Sequence, residues 1–306
     1  MDAGTTNTLA NIRVGIVGLG LMGGSLAMAL RGRVGYLLGI ERDVVTRQTA
    51  LRQGVVDVAE EELTAGAPSL DLLVLATPVR HILDTIGRLP ALRPTGCTVL
   101  DLGSTKRAVV AAMGGLPECF HAVAGHPMCG KETAGFASAA PDLYRNQTFV
   151  LCPTPRTTPA AEALALALIN AIEARPVRLD AADHDRIVAA VSHLPYIVAA
   201  ALMRTVADEQ LWAISAAGFR DTSRLAGTHP RMMLDILLTN REAILDALGE
   251  YEAQLAGLRR ALARGDEGAL VEWLAAAQVN YAAYRRFRSA EHLPTAPGLP
   301  SSLPLL

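Results

Sequence analysis

Hydrophobic residues recur along this chain in two rhythms, and the rhythm changes once. Up to about residue 151, short apolar runs rich in β-branched residues alternate with segments of helical period. The runs are 12–18 (IRVGIVG), 35–40 (GYLLGI), 71–76 (DLLVLA), 97–102 (CTVLDL), 120–124 (FHAVA) and 147–151 (QTFVL). Between them, 22–31, 43–53, 78–88 and 105–113 read as helices. Strands alternating with helices predict a parallel sheet covered by crossover helices.

Past the proline-rich "CPTPRTTP" at 152–159, the texture changes to long Ala/Leu-rich helical stretches at 160–174, 183–207, 230–247 and 249–288. One short run, 176–179, reads as a strand that can add to the first domain's sheet. The pattern therefore predicts an α/β fold class: a doubly wound parallel sheet over 12–155, then an all-α domain over 156–288. Residues 1–11 and the Pro/Ser/Leu-rich tail at 289–306 are expected to be flexible.

A chain of 306 residues can bury two domain cores, and 51% hydrophobic with 19% charged residues reads as globular and soluble. The formal charge of -2 gives no support for a nucleic acid or an anionic membrane as partner. Residues 186–203 are the most membrane-like, but they carry His193 and Pro195 and read as a buried helix. The polar start lacks a secretory apolar run, and Cys97, Cys119, Cys129 and Cys152 lack metal-ligand spacing. A cytoplasmic protein with reduced thiols and no metal is the expectation.

"VGIVGLGLMGGSLAMAL" sets Gly18, Gly20 and Gly23 in G-x-G-x-x-G register after a strand and before a helix, with Leu19, Leu21 and Met22 completing the loop. Such a turn lets backbone approach a pyrophosphate at a helix N-terminus, so a Rossmann-type dinucleotide site is predicted. Glu41, 18 residues beyond Gly23, ends the second strand. A carboxylate there accepts ribose hydroxyls and repels a 2′-phosphate, which favours NAD, although neighbouring Arg42 can contact the cofactor as well.

Ligands of open α/β sheets sit beyond the carboxyl ends of the strands. This chain puts Thr77 and Pro78 there after the third strand, Ser104 and Lys106 after the fourth, and His126 and Lys131, in "GHPMCGKE", after the fifth. Gly125 and Pro127 around His126 either mark a turn or hold an imidazole rigidly beside a group it deprotonates. Ser104 is equally suited to capping a helix. In the helical half, His184 and His193 are nine apart and fall on opposite faces of a straight helix, whereas His193 and Tyr196 share one face beside the bend expected at Pro195. Arg220 and Arg224, one turn apart with Asp221 between them, leave a surplus of guanidinium that suits an acidic ligand.

Taken in order, "GLGLMGGSLA", "ATPV", "DLGSTK", "GHPMCGKETAG", "DHDRIVAAVSHLPYIVAAAL" and "GFRDTSRLAGTHPRMMLDILLTNRE" resemble the prephenate/arogenate dehydrogenases of tyrosine biosynthesis. The resemblance implies an NAD-dependent oxidative decarboxylation of prephenate to 4-hydroxyphenylpyruvate. It implies that His126 accepts the proton of the substrate's 4-hydroxyl, that Ser104 orients both, and that Arg224 holds a substrate carboxylate. His193 belongs to the helical pocket wall, with Tyr196, Arg220 and Lys131 as further candidate substrate contacts, and the helical domain makes a homodimer. Tyr196 stands where many prephenate-specific members carry a second histidine. Arogenate, dual cyclohexadienyl or 4-amino-4-deoxyprephenate chemistry therefore stays open. A β-hydroxyacid dehydrogenase is a more remote alternative, disfavoured because no lysine follows Lys131. A non-catalytic NAD-sensing module is another, with no reason to keep Ser104, His126 and the arginine pair together.

Overall fold

Eight strands form one sheet in the order β3–β2–β1–β4–β5–β6–β7–β8. They are β1 (Arg13–Val17), β2 (Tyr36–Ile40), β3 (Val58–Glu60), β4 (Leu72–Leu75), β5 (Thr98–Asp101), β6 (His121–Pro127), β7 (Thr148–Pro153) and β8 (Arg175–Arg178). This is a computed structural model that describes residues 9–131 and 133–290. The first six strands are mutually parallel, and their order reverses between β1 and β4, where a doubly wound sheet opens its ligand crevice.

Helices α1 (Leu21–Leu30), α2 (Val44–Arg52), α3 (Val79–Leu92), α4 (Arg107–Gly114) and α5 (Pro159–Ala171) accompany the sheet. Strand residues alternate between two cores. Leu72 and Val74 face one with α1 and α5, while Leu73 and Leu75 face the other with α3 and α4. Burial on both faces is why these strands read as unbroken apolar runs.

Three details depart from the pattern. Strand β3 is three residues long and has no apolar run to announce it. Strand β7 pairs antiparallel with β6, and β8 pairs parallel with β7, so both run against the other six. Strand β6 continues past residue 124 through His126 and Pro127, so the Gly-His-Pro sequence is strand and not turn.

Proline is tolerated there because β5 has already stopped. The β5–β6 ladder covers only His121–Val123, and beyond it β6 pairs with β7 alone. The Met128 N–H bonds to Thr148 of β7, so by alternation the Pro127 nitrogen faces the side that β5 has left. Gly125 is needed for space rather than for unusual backbone angles: a Cβ there would lie 2.7 Å from the Asp101 carbonyl oxygen and 2.8 Å from Phe149.

The long helix expected at 183–207 spans Ala181–Thr205 as α6 (Ala181–Val188), a π-helical turn at Ala189–His193, and α7 (Leu194–Thr205). It is long and apolar enough to cross a membrane by composition alone, yet His184, Asp185 and His193 are buried in it and hydrogen-bonded to the protein. Short helices α8 (Glu209–Trp212) and α9 (Ala217–Ser223) follow, then a 3₁₀ turn at Arg224–Gly227 and α10 (Pro230–Thr239). The last two helices, α11 (Arg241–Arg264) and α12 (Glu267–Ala290), divide at Gly265 and not at residue 248. Gly265 takes a φ of 62° and the Asp266 carboxylate accepts the Ala269 N–H, a stop followed by a start.

Packing separates the chain into one unit through Ala247 and a second from Leu248. Of the ends expected to be flexible, 1–8 and 291–306 lie outside the described residues. Residues 9–11 form a turn with Leu9 buried, and Ser289 belongs to α12.

Candidate active site

Two groups of predicted residues meet the sheet's carboxyl edge. The first lies at the β1–α1 turn. Gly18 takes a φ of 92°, and a Cβ on Gly23 would fall 1.8 Å from the Gly18 carbonyl oxygen, so helix and turn touch backbone to backbone. Helix α1 begins after Gly20 with no side chain capping it, which leaves its first N–H groups for a ligand. Gly18, Gly20, Glu41, Arg42, Thr77 and Pro78 line one cleft, joined by His81 and Arg88 of α3, which the sequence pattern does not single out.

Glu41 is fixed at the mouth of this cleft: its Oε2 accepts the Leu19 N–H at 2.9 Å and its Oε1 the Asp43 N–H at 3.0 Å. The Leu19 side chain is fully buried, so only its backbone belongs to the loop surface. Leu21 and Met22 open α1, and the Met22 carbonyl accepts the Tyr144 hydroxyl. Thr77, in the wall of this cleft, has its Oγ1 buried without a hydrogen-bond partner from the protein. An uncapped helix start, a placed carboxylate and an orphaned hydroxyl fit a dinucleotide.

The second group centres on His126. Its Nδ1 lies 2.8 Å from His184 Nε2, and His184 Nδ1 lies 2.8 Å from Asp185 Oδ1. Asp185, fully buried, also accepts the N–H of Lys106 at 2.7 Å and of Arg107 at 2.9 Å, capping α4 from another helix. That cap displaces the role Ser104 was suited to: α4 starts at Arg107, and Ser104 is half-buried in the bend between β5 and α4. Among the described residues, no side-chain hydrogen bond links Ser104 to His126.

Lys106 is spent structurally. Its Nζ pairs with the Asp101 carboxylate and donates to the Gly125 carbonyl, and all of it is buried. Burial, reinforced by the neighbouring His184, Lys106 and His193, holds the His126 pKa well below the ordinary imidazole value. His126 is therefore uncharged at neutral pH, as a base must be.

His193, expected on the face opposite His184, reaches the same neighbourhood. The π turn between them widens the helix just before Pro195, whose ring would crowd the Val191 carbonyl in a regular helix, and it shifts the face that His193 presents. Asn240 Nδ2 donates to the Asp185 carbonyl at 2.8 Å and reaches His193 Nδ1 at 3.2 Å. Since the amide donates, His193 Nδ1 accepts and its Nε2 carries the proton. Burial pushes the His193 pKa down to about 4. His184 was missed as a partner of His193 because a regular helical wheel sets them on opposite faces, and Asp185 and Asn240 because their bonds to α4 and to His193 join segments distant in sequence.

The remaining candidates lie elsewhere. Lys131 Nζ donates to the Ser138 carbonyl at 2.8 Å within its own loop. Tyr196 is half-buried on α7. Arg220 is exposed and sits 3.3 Å from Asp221, and Arg224 starts the 3₁₀ turn that packs against α7.

Comparison with known proteins bears on both groups. Residues 26–178 match the prephenate dehydrogenase nucleotide-binding domain, and residues 180–276 match the prephenate dehydrogenase dimerization domain. A prephenate dehydrogenase of Bacillus subtilis (strain 168) is 33% identical over 258 residues, 80% of this chain and 68% of that protein. The crystal structure of Aquifex aeolicus prephenate dehydrogenase, in complex with hydroxyphenyl propionate and NAD+, aligns with a TM-score of 0.83 at 29% identity, covering 90% of this chain and 99% of that one. Synechocystis arogenate dehydrogenase aligns with a TM-score of 0.74 at 30% identity over 89% of this chain and all of that one.

Proposed function

This chain belongs to the prephenate dehydrogenase family, and from that premise we propose that it converts prephenate and NAD to 4-hydroxyphenylpyruvate, CO2 and NADH. NAD in the β1–β4 cleft supplies the hydride acceptor for C4 of the substrate ring. As C4 is oxidised, the 4-hydroxyl proton passes to His126, and the electron pair of the C1–carboxylate bond enters the ring, leaving a phenolate and CO2. The proton then returns to the phenolate oxygen.

His126 carries this reading: an imidazole kept uncharged by burial, at the carboxyl end of a strand in a dinucleotide fold. Ser104 lies one strand away and contacts the hydroxyl or the cofactor. The Nε2–H of His193 and the Tyr196 hydroxyl are donors toward the ring substituents, and Arg224, with Arg220 and Lys131, neutralises the carboxylates. Gly18, Gly20 and Gly23 let the backbone at Leu21 and Met22 take the pyrophosphate, while Glu41, braced by the Leu19 N–H, takes the adenosine ribose, with Arg42, Thr77 and Pro78 flanking the dinucleotide.

Tyr196 favours a second reading. A tyrosine donates a hydrogen bond but cannot pair as a cation with a substrate carboxylate, so arogenate is the competing substrate. NADH formation measured side by side with the two substrates decides: a higher kcat/KM for prephenate is expected, and the reverse order assigns an arogenate dehydrogenase.

The enzyme acts as a cytoplasmic homodimer in this reading. Residues 180–276 are the family's dimerization domain. On α12, Val271, Leu274, Val279, Tyr284 and Phe287 leave more than half their surface exposed, as an unpaired interface does. Light scattering is expected to give twice the mass of one 32.3 kDa chain.

A further inference from the structure

Resting on the reading of His126 as the base, we propose that Asp185 and His184 are positioning residues that set its tautomer, leaving the lone pair on Nε2. The assignment starts from the Asp185 carboxylate. Both its oxygens accept backbone N–H groups at the N-terminus of α4, an environment that suits a negative charge. His184 Nδ1, 2.8 Å from Oδ1, therefore donates, and His184 Nε2 is left as an acceptor. Its neighbour at 2.8 Å is His126 Nδ1, which must carry the hydrogen. The two rings meet edge-on, with centroids 5.0 Å apart and planes at 67°, and are not stacked.

The other charged and titratable groups around His126 are already engaged. Lys106 is held by Asp101 and the Gly125 carbonyl, Asp101 also accepts the Gly103 and Gly125 N–H groups, and His193 Nδ1 faces Asn240. His184 thus takes the orienting task that the resemblance gives to Ser104. When Nε2 accepts the hydroxyl proton, the charge on His126 is spread through Nδ1–H onto a His184 ring polarised by Asp185. When CO2 has left, the same proton passes back from Nε2 to the phenolate oxygen, so the relay holds a proton and consumes none.

The test combines spectroscopy with kinetics on the full chain. In 15N-histidine spectra of the wild-type protein without substrate, the resonance lost in His126→Asn is expected in the Nδ1–H form; an Nε2–H form overturns the proposal. His184→Phe is expected to lower kcat by about 10²-fold, a general-base-sized loss, with little change in either KM. His184→Gln, whose amide oxygen can accept the same hydrogen, is expected to recover most of that loss. Equal impairment of the two variants, or none, also overturns the proposal. If His184→Phe does not fold, the wild-type spectrum and His184→Gln decide alone. His126→Asn separates the two readings: if it keeps wild-type turnover, the base assignment falls as well, whereas a loss there beside an unimpaired His184→Phe sinks only the positioning role.

Discussion

Lys106 Nζ donates to the Gly125 carbonyl at 2.6 Å while sharing the buried carboxylate of Asp101, which in turn accepts the Gly125 N–H at 3.0 Å. One ion pair thus holds both backbone groups of the residue that precedes His126. It substitutes for the ladder that β5 no longer provides at that point of β6.

Breaking that pair leaves a buried charge unpaired. Lys106→Met is expected to lower unfolding free energy by about 3–5 kcal/mol, and adding Asp101→Asn should restore a large part of it. Urea denaturation of the two variants checks this; a Lys106→Met protein as stable as wild type contradicts it.

Catalysis should be insensitive to mild acid. Burial, then His184, Lys106 and His193, depress the His126 pKa well below 6.5, so the base stays unprotonated through neutral pH. The expected kcat/KM profile is level from alkaline pH to below 6.5 and falls only where His126 gains its proton. An acid limb centred at or above 6.5 would assign the limiting group elsewhere.

Stability should respond to acid earlier than catalysis does. His193 titrates near 6.5 when unfolded and at about 4 when folded, so between those values the unfolded chain binds the extra proton. Its contribution is complete above pH 6.5 and is lost as pH falls toward 4, at up to about 1.4 kcal/mol per pH unit. In His193→Gln the stability curve over that window should be shallower than in wild type; parallel curves would remove His193 from the linkage.

Cofactor choice should depend on charge at residue 41. Glu41→Gln keeps an acceptor for the Leu19 N–H but removes the repulsion of a 2′-phosphate. The preference for NAD over NADP in kcat/KM is expected to narrow by about tenfold, the equivalent of one 1.4 kcal/mol interaction. An unchanged ratio would mean that loop shape alone selects the cofactor.

Much of this arrangement is legible in the sequence because its signals are local. Two-sided burial writes itself as apolar runs, and the glycine loop must precede a helix wherever it binds phosphate. Glu41, Thr77 and Pro78 could be placed by strand ends alone, and they line the cleft with Gly18 and Gly20. What escaped depends on contacts distant in sequence. Strand β6 reads as ending at residue 124 because nothing near Pro127 discloses that β5 stops early. The Asp185 cap on α4 joins residues 79 and 78 positions apart, and no local propensity encodes it. His184 was hidden for a third reason: a helical wheel assumes a constant turn, and the π segment breaks that assumption. Pro195 was the available clue, since it announces a disturbance one turn upstream without revealing its kind.

That π turn also bears on how the chain can change over generations. A π turn takes up one residue more than an α turn over nearly the same rotation, so His193 and α7 keep their facing despite the extra residue. Regularising the helix at its present length would swing everything beyond it by about 100° and take His193 away from Asn240. Losing one residue between His184 and His193 would instead restore a regular helix with both histidines nearly in place, so the spacing of this pair is free to alternate between two lengths, one with the π turn and one without it.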